Sequence, residues 1–470
     1  MSRNPRHYRN DDQRRTRRAM NERGIEAEKG MGQNFMSDAT VACWIVEQLE
    51  AGPGDTVIEI GPGMGALTEH LVQTGARCIL LEKDDELVEL VRSKFGGLPH
   101  VTVLHGDALE FDLRPYFKFQ PLKVLGALPY SVGTEIVRRW MENPSPVQRA
   151  VFTLQKEVCD RLCAQPNSSE YGLLSLRTQV RWVAKMLRKL PPDIFVPRPK
   201  VDSGVVLLTP RPRVELPVFD EAIFERLLRA GFAQRRKMLR NLLPPGPQPW
   251  EQLAAESGVS ATMRGQELSL SQWVALTNAY DTHELKGVAQ RDEEMFDVVD
   301  EQNQVVRQAT RREVHANDWL HRAVHIFVLN SRGQVFLQLR SHLKDKKPSK
   351  WDSSAAGHLD AGEDYLSCAV RELEEEVGVR TSPEGLTFAG KVPACRGTGG
   401  EFVELYTVRH DGRLRWPAAE IETGQWFTPE EIDAWTAARP GDFADGFLEC
   451  WKIWRSLSRE VNNSAEGAST

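Results

Sequence analysis

No stretch of this 470-residue chain is apolar for the length a bilayer demands, and no apolar segment of the signal-peptide kind follows its basic start. The sequence therefore predicts a chain with no membrane partner, working in the cytoplasm. It is equally short of paired cysteines. Cys43, Cys78, Cys159, Cys163, Cys368, Cys395 and Cys450 are scattered, odd in number and free of any C-x-x-C pair. That excludes a disulfide framework and a zinc site of paired thiols, and predicts reduced core thiols. A strong charge of one sign is missing too, since the net charge is −6. What the balance hides is an amino-terminal cluster, Arg3, Arg6, Arg9, Arg14, Arg15, Arg17, Arg18 and Arg23, with few apolar residues between. Residues 1–29 read as a disordered basic arm suited to nucleic acid.

At 53.1 kDa the chain is too long for one ordinary core, so two or three domains are expected. After the arm, a helix is predicted from Ser37-Asp38, either of which can cap it. Thr56 to Ile60 reads as a buried strand, Gly61-Pro62-Gly63-Met64-Gly65 as a tight turn and Ala66 to Leu71 as the start of a helix. Glycines serve there because the backbone must bend sharply and approach a ligand with no Cβ in the way. The next strand, Arg77 to Leu81, ends in Glu82, about twenty positions beyond the glycines, where a carboxylate can accept both hydroxyls of a ribose. A third strand, Val101 to Leu104, runs into Gly106-Asp107-Ala108, and Asp107 is placed to accept from an adenine amine. No Arg or Lys sits where a 2′-phosphate needs one.

The fourth strand, from Val124, ends in Leu128-Pro129-Tyr130. The Pro–Tyr step stops regular pairing and leaves a ring at the strand's carboxyl end, where ligands sit in open α/β sheets. A dinucleotide site favours G-x-G-x-x-G with pyrophosphate on the helix end. G-x-G-x-G, Glu, Asp and a terminal Pro-Tyr suit S-adenosylmethionine beside an amine acceptor.

Gln33-Asn34-Phe35, Glu59-Ile60-Gly61-Pro62-Gly63, Gly106-Asp107-Ala108 and Leu128-Pro129-Tyr130 together resemble the ribosomal RNA adenine dimethyltransferase family. The likeness continues through Gln155-Lys156-Glu157-Val158, Tyr171 to Ser175, Phe195 to Ser203 and Phe232 to Lys237, and spans residues 25 to 280. It implies an α/β fold, with a Rossmann-like S-adenosylmethionine-dependent methyltransferase domain over 30–215 and a small α-helical RNA-contacting domain over 216–285. It also implies cofactor contacts from Gln33, Asn34, Gly61, Gly63, Gly65, Glu82, Asp107 and Ala127, and, as partner, small-subunit (16S) ribosomal RNA or the 30S assembly particle. Arg235, Arg236, Lys237 and Arg240 are expected on neighbouring helical turns, where they neutralise RNA phosphates.

An exocyclic adenine amine is a poor nucleophile because its lone pair is delocalised into the ring. A site helps by flipping the base, stacking it on an aromatic face and aiming carbonyl oxygens at the amine hydrogens. Tyr130 is the stacking ring and the Leu128 carbonyl an acceptor, with Pro129 shaping the turn; no strong base is required. One position departs from the family pattern. Ala127 stands where relatives have Asn, and it has no side-chain carbonyl. Loss of one positioned group costs on the order of 10²–10³ in rate, taking the oxyanion-hole donor as analogue. The alternative reading is thus a catalytically impaired ribosome-assembly factor that retains its cofactor.

Near residue 285 the pattern restarts. Phe296 to Asp300, His321 to Leu329 and Gln334 to Arg340 read as strands, the last two joined by a turn at Ser331-Arg332-Gly333. Gly357 to Glu363 then leads into Arg371-Glu372-Leu373-Glu374-Glu375-Glu376-Val377-Gly378. This matches the box of the Nudix hydrolase family at every fixed position. On a helix Glu372 shares a face with Glu375 and Glu376, so three carboxylates converge as a site for Mg²⁺ (or Mn²⁺). Glu375 and Glu376 are assigned to catalysis as well as to the metal, and Arg371 to orienting them. The resemblance implies an α/β/α Nudix domain over 286–460 that hydrolyses a nucleoside-diphosphate-type small molecule, with residues 461–470 a frayed, disordered tail. Gln338 to Ser341 and Pro348 to Asp352 are also similar to the Nudix branch that includes isopentenyl diphosphate isomerase. That isomerase needs a Cys just before the box, where this chain has Ser353-Ser354-Ala355-Ala356, so hydrolysis is favoured. Thr282 to Arg291 is the expected interdomain linker.

Overall fold

The computed structural model describes residues 5–22, 33–283, 287 and 291–467. The chain divides into two compact units, Met1–Pro217 with Phe224–Leu276, and Val218–Ile223 with Thr277–Thr470. The expected linker falls largely outside the described residues.

The first unit opens with helix α1 (Pro5–Glu22), followed by strand β1 (Phe35–Met36) and helix α2 (Ala39–Glu47). The Asp38 side chain caps α2, accepting from Val41 N. The main strands are β2 (Thr56–Ile60), β3 (Arg77–Glu82), β4 (Val101–His105), β5 (Leu122–Ala127), β6 (Val147–Gln155) and β7 (Trp182–Leu190), then short β8 (Phe195–Val196) and β9 (Ser203–Pro210). They form a seven-stranded sheet in the order β4-β3-β2-β5-β6-β9-β7, while β1 pairs with β8. β2 is buried along its whole length, as a central strand covered on both faces must be. The pairs β2/β3, β3/β4, β2/β5 and β5/β6 are parallel, so order reverses at β2 and the carboxyl ends of β2 and β5 part there. Cores lie on both faces of the sheet.

Helix α1 corrects the expectation of a disordered arm for residues 5–22. Gln13, Thr16 and Met20 share one stripe of the helix, Met20 is buried among Phe35, Met64, Leu87, Leu90 and Val196, and Gln13 Nε2 donates to Asp193 O. Arg14, Arg15, Arg17 and Arg18 are exposed. Residues 1–4 and 23–29 of the arm lie outside the described residues.

The second unit begins with a hairpin of β10 (Met295–Val299) and β11 (Val305–Thr310). A short helix, Arg311–Ala316, precedes β12 (His321–Leu329), β13 (Val335–Arg340), β14 (Trp351–Asp352) and β15 (Ala355–His358). The helix bearing the glutamates, Tyr365–Val377, follows, then β16 (Thr387–Val392), β17 (Glu401–Arg409) and β18 (Ile421–Phe427). The sheet runs β14-β13-β12-β17-β16, with β15 also on β12 and β18 on β13. The glutamate helix starts where the Asp364 carboxylate accepts from Leu366 N and Ser367 N, and stops at Gly378, whose φ of 71° suits glycine. The last helix runs Asp445–Gly467, so residues 461–467 are helical where a frayed tail was expected; 468–470 lie outside the described residues. All seven cysteines are free, but Cys395 is exposed and Cys43 and Cys163 are only partly covered, against the expectation of core thiols throughout. Among the described residues no helix is long and apolar enough to cross a membrane.

Candidate active sites

In the first unit the carboxyl ends of β2, β3 and β5 open on a cavity of about 270 Å³. Its lining joins Gln33, Asn34, Gly61, Gly63, Glu82 and Asp107 to Ala127, Leu128, Pro129 and Tyr130. Gly65 is not in the lining. Its φ of +87° shapes the turn, and a Cβ there would come within 2.8 Å of the Phe95 ring. Gly63, at φ +56°, faces the Phe35 ring, which a Cβ there would meet at 3.1 Å.

Glu82 is buried and fixed by three backbone amides, accepting from Gly63 N at 3.0 Å, Lys83 N at 2.9 Å and Asp84 N at 3.2 Å. Burial raises its pKa against the pull of those amides. Asp107 is more engaged than expected: Oδ2 pairs with Lys83 Nζ at 2.8 Å and Oδ1 accepts from Leu109 N at 2.8 Å. Lys83 is thus a cation in the lining that the sequence reading passed over, and its ammonium is turned to Asp107. Gln33 Nε2 donates to Asp84 Oδ2 at 3.0 Å. Glu59, which also lines the cavity, is buried and accepts from Thr68 Oγ1 at 2.8 Å. Burial, reinforced by Glu82, raises it to about 8 despite that bond.

Tyr130 is held by a 2.5 Å hydrogen bond between its hydroxyl and Ser203 Oγ on β9. Leu128 N donates to Thr153 O at 3.0 Å, and Pro129 O accepts from Gly133 N at 2.8 Å, which starts the next helix. The Pro129 carbonyl is therefore committed to the fold. An acidic edge, a glycine floor and a fixed aromatic ring make a cavity that fits an adenosyl sulfonium beside a planar base.

In the second unit the three glutamates are held by different groups. Glu372 Oε1 accepts from Arg371 Nη1 at 2.7 Å, and Glu375 Oε2 lies 3.6 Å from the same guanidinium. Glu376 Oε2 accepts from Gln338 Nε2 and Ala356 N, each at 3.0 Å. Burial raises Glu372 to about 8 and Glu376 to about 7, and among the described residues the three carboxylates do not close into one ligand cluster. Arg371 also binds Glu363 and His358 O, so it ties the loop to the helix.

A second cluster escaped the sequence reading. Ring nitrogens of His315, His321 and His358 lie within 4.8 Å of one another. His358 Nε2 is 3.2 Å from Glu401 Oε1, and His321 Nε2 3.7 Å from it. Burial lowers His315 to about 4 and His358 to about 3, keeping both rings neutral and able to ligate. The cluster lines a cavity of about 320 Å³ that Arg311, Arg340, Lys346, Lys347 and Arg396 also border. The one hint in sequence was that His358 sits inside the box; only folding brings His315 and His321 to it.

The family model of the ribosomal RNA adenine dimethylases matches residues 25–282, more than half of the chain. The chain belongs to that family. Ribosomal RNA small subunit methyltransferase A of Geobacter sulfurreducens is 39% identical over 262 residues, covering 54% of this dimethylase chain and 95% of the relative. The same protein of Bacillus cytotoxicus is 36% identical over 284 residues, covering 58% and 97%. A solved 23S rRNA methyltransferase, ErmE, is 26% identical with a TM-score of 0.43, covering 53% of this chain and 100% of its own. A NUDIX domain matches residues 319–445 and is fused to the dimethylase portion. Two enzyme families, one dependent on S-adenosylmethionine, thus share the chain.

The basic cluster of the dimethylase unit differs from the helical arrangement expected. Arg235, Arg236 and Lys237 lie on a turn after the helix that ends at Gly231, and Arg240 on the single 3₁₀ turn Leu239–Asn241. All four are exposed, but Arg235 donates to Tyr171 O at 2.7 Å and Ser168 O at 3.4 Å, which is a structural task.

Proposed function

We propose that the first unit dimethylates exocyclic adenine amines of small-subunit (16S) ribosomal RNA, on the RNA or the 30S assembly particle. The supporting observation is that one cavity joins the Glu82 and glycine-turn edge to Leu128-Pro129-Tyr130. Gln33, Asn34, Gly61, Gly63, Glu82, Asp107 and Ala127 would hold S-adenosylmethionine, with Gly65 shaping the turn. The bound cofactor supplies an electrophilic methyl group. Tyr130, fixed through Ser203, stacks the flipped base, and the Leu128 carbonyl accepts from the amine so that the lone pair faces the methyl. Arg236, Lys237 and Arg240 engage phosphates. Methyl incorporation into small-subunit particles that lack the modification tests this. No incorporation alongside normal cofactor binding would instead establish the assembly-factor reading that Ala127 raises.

For the second unit we infer hydrolysis of a nucleoside-diphosphate-type substrate with Mg²⁺ or Mn²⁺ at Glu372, Glu375 and Glu376. A bound divalent cation would polarise the diphosphate and activate water. Of the basic side chains bordering the 320 Å³ cavity, Arg311, Arg340 and Lys347 are ion-paired with Asp345, Asp352 and Asp445, which leaves Lys346 and Arg396 for phosphate oxygens; the three glutamates are not among its lining residues. No thiol precedes the box, which weighs against isomerisation. A second reading of the metal centre is favoured by the histidines: His315, His321 and His358 with Glu401 offer the imidazole and carboxylate donors that a first-row transition metal prefers. A screen of pyrophosphate compounds with Mg²⁺, and with Mn²⁺, tests the activity.

A further inference from the structure

Ala127 and Thr153 are partners in the parallel pairing of β5 and β6. Partners in a parallel pair point to one face of the sheet. Two residues earlier on each strand, Leu125 and Val151 belong to one core cluster, and Ala127 packs against that same cluster, so Ala127 and Thr153 lie on its side of the sheet. Both line the cavity that carries Leu128-Pro129-Tyr130. Thr153 is 2% exposed, and its Oγ1 is buried with no hydrogen-bond partner among the described residues. Its backbone carbonyl is already engaged, accepting from Leu128 N at 3.0 Å.

A buried hydroxyl without a partner is costly, and valine would fill the same volume without that cost. The group makes sense where a ligand completes it. At this position the missing partner is on the substrate. Ala127 lacks the carbonyl that would accept from the target amine, and the nearest in-register side chain on the same face carries an unused oxygen.

We propose that the Thr153 hydroxyl accepts a hydrogen bond from the adenine amine and takes the part that Ala127 has lost. The inference rests on the dimethyltransferase reading. A hydroxyl has lone pairs for the amine N–H but is too weak a base to take its proton, which leaves to water. Its part is orientation, turning the amine lone pair toward the methyl beside the Leu128 carbonyl. The Asn expected at position 127 and the Thr at 153 are therefore two ways to supply one acceptor.

The test uses the full chain and four variants: Thr153→Val, Thr153→Ser, Ala127→Asn and the double Ala127→Asn/Thr153→Val. Methyl transfer to unmethylated small-subunit particles, cofactor affinity by calorimetry and Tm are measured for each. Thr153→Val should lower kcat on the order of 10²–10³-fold, leave cofactor affinity unchanged and raise Tm by a few degrees, because an unpaired buried hydroxyl is removed. Thr153→Ser should keep most of the rate, and Ala127→Asn should restore transfer in the Thr153→Val background. A Thr153→Val protein at full rate, one with lower Tm and weakened cofactor binding, or a double variant left inactive would each overturn the assignment. If the unaltered protein transfers no methyl group, the dimethyltransferase reading itself fails, and that result is separately visible.

Discussion

The carboxylate of Glu372 lies directly over the α-carbon of Gly357: a Cβ at position 357 would come within 2.0 Å of both Cδ and Oε1. The box glycine thus clears the space in which the carboxylate proposed as a metal ligand sits. The atoms in the way are the mobile end of a side chain, so Gly357→Ala should fold and swing Glu372 aside. The expected result is Mg²⁺-dependent hydrolysis reduced about 10- to 100-fold, in line with losses on disturbing metal-site support, with Tm little changed. Full activity in Gly357→Ala would show that Glu372 is not a ligand.

Glu59 sets a pH dependence in the dimethylase unit. Burial, the largest cause, raises it to about 8 from 4.5. The folded chain therefore keeps a proton that the unfolded chain releases above pH 4.5. Its contribution favours the fold at low pH and is lost as pH rises from about 4.5 to about 8, a change of a few kcal/mol at most. Glu59→Gln retains an acceptor for Thr68 Oγ1 and cannot ionise. Its Tm should exceed that of the unaltered protein by a margin that widens between pH 5 and pH 8; a constant margin would mean that Glu59 is ionised in the fold.

Elements that announce themselves locally were legible in sequence. β2, the glycine turn and β3 were readable because burial, backbone bending and the acidic strand end all leave marks within a few residues, and the Nudix helix carries both its Asp364 cap and its Gly378 stop. Features created by tertiary packing were not. Helix α1 is polar enough to read as disordered, and only the burial of Met20 and the Gln13 bond to Asp193 O show that it docks. Arg235 to Lys237 looked like a helical charge run, yet Arg235 is bent back to carbonyls in the 168–171 segment. Thr153 carried no signal at all until its register partner was known to be Ala127.

Metal content separates the two candidate centres of the Nudix unit. Neutral imidazoles with a carboxylate favour a transition metal, whereas a glutamate set favours Mg²⁺. Protein purified without chelator and analysed by elemental mass spectrometry should carry a transition metal that His321→Ala or His358→Ala removes and Glu376→Gln leaves in place. Glu376→Gln should instead abolish Mg²⁺-dependent hydrolysis. Metal retained in both histidine variants would assign the cluster at His315, His321 and His358 to packing alone.

The four exposed cations of the dimethylase unit should divide by what they touch. Arg236, Lys237 and Arg240 make no ion pair or hydrogen bond with other side chains among the described residues, so on the proposed reading they are left to meet RNA phosphates. Replacing Arg236 or Lys237 by Ala should reduce the slope of log affinity against log salt for small-subunit RNA by about 0.7–0.9 each, without altering Tm. Arg235→Ala should do the reverse. Losing its bonds to Tyr171 O and Ser168 O costs about 1 kcal/mol of stability, while the salt slope stays near that of the unaltered protein. Equal slopes for all four proteins would place the RNA elsewhere, and the exposed arginines of α1 would then be the surface to test.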